Sequence, residues 1–327
     1  MRAMQLGRPG QPLQMIEVPA LAPAAGQVQI AVCVCGVCRT DLHLVDGELP
    51  DPTLPIVPGH EIVGRVTALG EGVTELQVGD RVGVSWLAWS CGSCEFCRRG
   101  SENICPSARF TGYQIDGGFA TETTADARFV FKLPANYSDD AAAPLLCAGL
   151  IGWRALKAAG PALRLGLYGF GAAAHIVAQI ARAQGQQVFA FVRPGDSRAG
   201  AFALETGAIW AGGSDQPAPQ PLDAAIIFAP VGELVPAALR AVRAGGTVVC
   251  GGIHMSDLPS FPYALLWGER TLRSVANVTR SDATDFLDFA ARTPLRVATV
   301  RYPLADANRA LTDLRGGHLT GAAILVP

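Results

Sequence analysis

Four cysteines are crowded between residues 91 and 105: Cys91, Cys94, Cys97 and Cys105, spaced C-x2-C-x2-C-x7-C. Four thiolates this close in sequence can form a tetrahedral shell around one zinc ion. A shell of four protein ligands leaves no open position, so such a centre holds structure and does no chemistry. Outside it remain Cys38, the pair His60-Glu61, and Cys147. Together these could hold a second zinc with one coordination position left free.

The chain has 327 residues, 50% hydrophobic and 17% charged, which is ample for a large core and points to two domains. The formal net charge is −2 and no basic block occurs, which argues against a nucleic-acid partner. No apolar run reaches the roughly 18 residues that span a bilayer. Residues 1–10 contain no apolar signal core. The expectation is a cytoplasmic protein without membrane attachment. In a reducing compartment nine cysteines indicate metal rather than disulfides. Cys33, Cys35 and Cys250 lie in strand-like stretches and read as small core residues.

The first part of the chain looks β-rich. Residues 28–32 and 62–66 are short apolar or alternating runs, and 70–72, 78–80 and 116–118 read as turns. The pattern changes near Ala141, where residues 141–159 have helical spacing. A buried strand over 165–169 follows, then a helix over 176–182 and a strand over 188–192. Later strands at 224–228 and 246–250 flank a helix over 234–242. Strand, helix, strand at this interval means βαβ units and a parallel sheet. A further helix over 282–292 and a strand over 322–326 close the reading, with a Pro-rich loop at 216–221.

Gly169-Phe-Gly171-Ala-Ala-Ala174 fits G-x-G-x-x-G/A where a strand meets a helix. The first glycine permits the tight turn and the second lets the backbone approach a pyrophosphate. The small third residue lets helix and strand pack closely. In this context the turn reads as a dinucleotide site. The second strand of such a unit usually ends in a carboxylate that bonds the ribose of NAD. Here the corresponding residues are Val192 and Arg193, and a cation there favours NADP over NAD.

Cys38, Thr40, Asp41 and His43, then Gly59-His60-Glu61, the four-cysteine lobe, Cys147 and the dinucleotide turn follow one another in order. In this set and order the chain resembles the zinc-dependent medium-chain alcohol dehydrogenases over nearly its whole length. The resemblance implies an α/β protein with a GroES-like β-rich catalytic domain (1–148), a Rossmann domain with a doubly wound parallel sheet (149–276), and a return to the catalytic domain (277–327). It implies two Zn2+ per chain: a catalytic ion on Cys38, His60 and Cys147, and a structural one on the four-cysteine lobe. The catalytic ion acts as a Lewis acid that lowers the pKa of a primary alcohol, whose hydride passes to NAD(P). The proton leaves through Thr40, the cofactor ribose and His43, a hydroxyl and an imidazole suited to relay near neutral pH. Asp41 accepts from the far nitrogen of His60. Glu61 lies near the metal and assists ligand exchange, and Arg39 contacts the pyrophosphate. Relatives are homodimers or homotetramers.

The chain also departs from the family pattern. It lacks the carboxylate at Val192, its glycine turn ends in Ala174, and a C-terminal arginine that often grips the pyrophosphate is replaced at Ala322, with Arg280 a possible substitute. Trp86 resembles a residue lining the substrate pocket. Leu49 stands where ethanol-selective relatives carry a bulky aromatic, so medium-chain aliphatic or aromatic alcohols are expected. The alternatives are an NADPH-linked aldehyde reductase on the same scaffold and a non-catalytic relative.

Overall fold

The computed structural model describes residues 1–19, 22–319 and 321–327. They divide into two units: Met1–Cys147 with Asn277–Pro327, and Ala148–Ala276.

The first unit is organised by the strand Gln27–Val37. It pairs antiparallel with Glu61–Leu69, Glu122–Asp126 and Ala322–Val326. Arg81–Val84 and Val130–Lys132 extend the sheet beyond Glu61–Leu69, and Thr299–Pro303 lies outside Ala322–Val326. Val28, Ile30, Val32 and Val34 alternate into the core, as the period of two requires. From Val34 to Val37 every residue is buried, so the strand's end runs into the interior before the chain turns at Cys38. Tyr302, Leu304, Ala307, Ala310 and Leu311 join the same core, so the C-terminal segment completes it. Cys35 is a buried core residue as expected, whereas Cys33 and Cys250 are only half-buried.

In the second unit six parallel strands form one sheet among the described residues. Their order is Trp210–Gly213, Gln187–Val192, Arg164–Tyr168, Leu222–Ile227, Val242–Cys250, Thr271–Ser274. This is the doubly wound order, with its switch point between Arg164–Tyr168 and Leu222–Ile227. Both central strands are buried nearly throughout, as an apolar run without alternation predicts. The helices Ala172–Ala183 and Leu234–Ala241 lie where the sequence places helices.

The continuous helix expected over 141–159 is broken. It divides into Asp139–Ala142, a 3-10 turn Ala143–Leu146, and Ala148–Ala159. Pro144 has no N–H to continue the ladder, and Cys147 at the break has non-helical φ −130° and ψ −71°. The helices Ser197–Glu205 and Ala307–Gly316 and the strands Trp210–Gly213 and Thr271–Ser274 were not expected from the sequence. No helix among the described residues is long and apolar enough to cross a membrane.

Candidate active site and metal centres

The first cluster is assembled at the end of the Gln27–Val37 strand. Cys38 caps the helix Arg39–Asp46 with extended backbone. Its Sγ accepts from the Thr40 N–H at 3.3 Å, and its own N–H donates to Asp41 Oδ2 at 2.9 Å. Asp41 Oδ1 accepts from Gly59 N–H at 3.2 Å, which ties the helix to the Gly59-His60-Glu61 turn. Gly59 is required there: its φ is +95°, and a Cβ would lie 2.4 Å from Phe119 Cδ1. The turn places His60 Nε2 3.3 Å from Cys38 Sγ, with Nδ1 3.4 Å from Asp41 Oδ1. Cys147, freed from helical geometry, brings its Sγ to 3.9 Å from that of Cys38.

The ligand atoms of Cys38, His60, Glu61 and Cys147 all lie within 4.8 Å of one another. Zinc bonds of about 2.3 Å to sulfur and 2.0–2.1 Å to nitrogen in a tetrahedron separate two sulfurs by about 3.8 Å, and sulfur from nitrogen by about 3.6 Å. The donor set therefore fits a zinc ion. Glu61 Oε2 is buried without a hydrogen-bond partner beside it. Gly36, opposite Glu61 in the sheet, makes the room: a Cβ there would lie 1.8 Å from that oxygen.

The electrostatics point the same way. The Cys38 thiol is held well below its usual range, chiefly by its hydrogen bond with Cys147 and also by His60 and Thr40 against the opposing effect of burial. Sharing that hydrogen drives Cys147 well up, and burial adds to it. Burial depresses His60, but the Cys38 and Asp41 charges outweigh it and raise the imidazole well above its ordinary value. Burial, then Cys38, pushes the Glu61 carboxyl well up. Buried acids that oppose one another's ionisation this strongly would give up their protons to a cation.

The second cluster is Cys91, Cys94, Cys97 and Cys105, again within 4.8 Å of one another. Cys91 Sγ stands 3.9 Å from Cys97 Sγ and 3.6 Å from Cys105 Sγ, the tetrahedral spacing. The Cys94 N–H donates to Cys91 Sγ and the Cys97 N–H to Cys94 Sγ. Backbone amides of Ser93 and Cys94 pull the Cys91 thiol down to about 6, so it is a thiolate at neutral pH.

Thr40 is half-buried two residues from Cys38. His43 is buried on the same helix, and its Nδ1 shares a short hydrogen bond with Glu48 Oε2. Sequence reasoning missed Glu48; a carboxylate five residues after the histidine was its only signal. Arg39 is exposed. Trp86 sets its ring edge-on to His60 with centroids 5.0 Å apart, while Leu49 is half-buried and packs on the core of this unit. Arg280 bonds Glu102 Oε1 at 3.1 Å and lies over the Phe129 ring, so its guanidinium is engaged inside this unit.

In the second unit Gly169 has φ +86°, and a Cβ there would strike Ala229 at 2.8 Å. Gly171 precedes the helix Ala172–Ala183, whose N-terminus no side chain caps. A Cβ on Gly171 would meet nothing within 4 Å, so its bareness leaves open space at the helix N-terminus, as a pyrophosphate requires. Ala174 is fully buried in the packing of this helix. Val192 is buried at the end of its strand and Arg193 beyond it is exposed.

Residues 24–135 match the alcohol dehydrogenase GroES-like domain. A probable alcohol dehydrogenase of Mycobacterium tuberculosis is 48% identical over 338 residues, covering 100% of this chain and 97% of that protein. The chain belongs to the zinc-dependent medium-chain alcohol dehydrogenase family. Its members are oxidoreductases, and this chain is an enzyme of that kind. Two solved structures extend the likeness across the fold. A cinnamyl alcohol dehydrogenase of Sorghum bicolor superposes with TM-score 0.90 at 28% identity, covering 99% of this chain and 97% of that one. An acetophenone reductase of Geotrichum candidum, solved in complex with NAD, gives TM-score 0.90 at 26% identity over 100% and 97%. The GroES-like and Rossmann-type architecture expected of the alcohol dehydrogenase family is the one present.

Proposed function

We propose that this alcohol dehydrogenase moves a hydride between a primary alcohol, medium-chain or aromatic, and a nicotinamide cofactor, with NADP preferred to NAD. The observation that carries the reading is the three-donor set Cys38, His60 and Cys147 beside a separate closed set of four cysteines. A zinc ion held by those three supplies Lewis-acid polarisation of the substrate oxygen. Asp41 faces His60 Nδ1 and so keeps Nε2 as the ligating nitrogen. The Thr40 hydroxyl accepts the alcohol proton and hands it on toward His43. The Glu48 carboxylate on Nδ1 holds that imidazole with Nε2 as the atom that takes up and releases the proton. Glu61 stands by as a spare carboxylate for ligand exchange. Gly169, Gly171 and Ala174 seat the pyrophosphate at the N-terminus of the helix Ala172–Ala183.

Two pairs of observations support the substrate and cofactor preferences. Leu49 leaves more room than an aromatic side chain, and Trp86 sets an apolar ring beside His60. No carboxylate ends the Gln187–Val192 strand, and exposed Arg193 suits a 2′-phosphate. We place the enzyme in the cytoplasm, and we assign it a homodimeric or homotetrameric state, which sedimentation of purified protein checks. The test of function is kcat/KM for benzyl alcohol with NADP and with NAD on zinc-replete enzyme, repeated for Arg193→Ala. NADP preference that Arg193→Ala removes is the expected result, and it favours aldehyde reduction as the working direction. Preference for NAD untouched by Arg193→Ala would refute the cofactor assignment, and no turnover with either would refute the activity.

A further inference from the structure

Trp86 has a polar anchor outside both metal clusters. Its indole N–H donates to Asn277 Oδ1 at 2.9 Å, and Asn277 Nδ2 donates to the Asn103 carbonyl at 2.9 Å. The indole only donates and the carbonyl only accepts, so one amide orientation satisfies both. Asn277 has φ 55°, the left-handed region that asparagine tolerates better than other residues with a side chain. Backbone and side chain thus both call for asparagine here. Asn103 lies in the turn Glu102–Ile104, directly before the zinc-lobe residue Cys105. A second tie runs in parallel: the Arg280 N–H donates to Glu102 Oε1 at 3.0 Å. Residues 277–280 are thereby pinned to the four-cysteine lobe at two points.

On its other faces Trp86 stacks on Phe110 at 5.1 Å and meets His60 edge-on at 5.0 Å. Tyr113 lies tilted against it at 5.6 Å. Ring contacts are weakly directional within the ring plane, and the N–H bond adds a fixed direction. We propose that Asn277 is a positioning residue. It fixes the Trp86 indole beside the metal-ligating His60, using the backbone of the four-cysteine lobe as its reference point, and so determines which alcohols fit. This rests on the reading of the Cys38, His60 and Cys147 cluster as the substrate site. It assigns the lobe a part in substrate choice beyond stability.

The test compares Asn277→Gly, which keeps the left-handed backbone and deletes the amide, with Trp86→Phe, which keeps a ring and deletes the N–H, and with the double variant. The Trp86 indole signal in a 1H–15N spectrum, assigned by its loss in Trp86→Phe, reports the bond without reference to activity. The ratio of kcat/KM for benzyl alcohol to that for ethanol reports the pocket, at unchanged zinc content. One neutral hydrogen bond corresponds to a change of between about two- and tenfold. Each single variant should shift the ratio by that much, the indole signal should move in Asn277→Gly, and the double variant should add little. An unmoved indole signal, an equal loss for both alcohols, or shifts that multiply in the double variant would overturn the proposal. Should Asn277→Gly fail to accumulate, Asn277→Asp keeps the acceptor for the indole but loses the donor to the Asn103 carbonyl, so it should also move the indole signal and shift the ratio. A wild-type indole signal and ratio in that variant would equally overturn the proposal. A wild type that turned over no alcohol would refute the assigned activity and this proposal with it, whereas an active wild type with an unmoved ratio refutes only the positioning role.

Discussion

Gly36→Ala is a small change with a large expected consequence. Gly36 and Glu61 face each other across two antiparallel strands. A methyl on Gly36 would lie 1.8 Å from Glu61 Oε2, 2.7 Å from its Cδ and 2.8 Å from its Cβ. Swinging the carboxylate away relieves the first two contacts. It leaves the third, so the strands must also part. Overpacking of a closed core costs about 1–3 kcal/mol, and three atoms inside contact distance place this case near the upper end, about 3 kcal/mol. At about 2–4 °C per kcal/mol for a unit of this size, the transition should fall by roughly 6–12 °C. In a Glu61→Ala background only the Cβ contact survives, so the same substitution should cost about 1 kcal/mol there. The coupling of about 2 kcal/mol is what neighbouring residues show and distant ones do not. Thermal unfolding of the four proteins followed by circular dichroism measures it. An equal loss in both backgrounds, or a loss under about 0.5 kcal/mol in the wild type, would refute the claim that Gly36 exists to house the Glu61 carboxylate.

Cys38→Ser should abolish turnover and lower zinc content by one ion per chain, so full activity would sink the assignment of that cluster. Cys97→Ser should also remove one zinc, but with a lower unfolding temperature as its main effect, since that shell is closed; atomic absorption and calorimetry check both. His43→Gln should slow turnover chiefly at low pH, and an unchanged pH profile would leave the histidine without a relay role. Asp223 receives hydrogen bonds from Arg243 at 2.6 Å and from the Leu163 and Arg164 amides, which outweigh its burial and lower its pKa to about 2. A folded pKa below the unfolded one stabilises above about pH 4 and loses that contribution as pH falls toward 2. Asp223→Asn should therefore destabilise the second unit by on the order of 1 kcal/mol at pH 7, after screening by solvent, and by almost nothing at pH 2 in acid titrations of both proteins.

The elements that sequence pattern revealed are those whose residues state their own geometry. Gly169 sits at a strand–helix junction because its φ of +86° and the nearness of Ala229 exclude a side chain, and Gly171 beside it keeps the helix N-terminus open. The four cysteines converge because their spacing already brings them close. Cys147 was legible as a ligand type, yet its helical surroundings hid the break at Pro144 that turns its sulfur toward Cys38. The strand Trp210–Gly213 contains two glycines and no apolar alternation, so its place beside Gln187–Val192 is set by the sheet and not by propensity. Glu48 and Asn277 were unreadable for a different reason. Both act through side-chain contacts that hydrophobic periodicity does not register, and Asn277 lies 191 residues from the tryptophan it holds. No local pattern encodes such a pairing.

The placement of the Ala322–Val326 strand has a consequence for how the protein is made. It is not an edge strand but lies between Thr299–Pro303 and Gln27–Val37. During synthesis the second unit, continuous from Ala148 to Ala276, is whole before the first unit's sheet can close. Cys38, His60 and Cys147 have by then left the ribosome and wait on a half-built scaffold. Domains that fold as they emerge do so in chain order, so the second unit comes first and the Cys38, His60 and Cys147 cluster is among the last features to become rigid. A nascent chain stalled before residue 322 should hold a formed second unit and an open first one, with its thiolates exposed to whatever metal or oxidant is at hand.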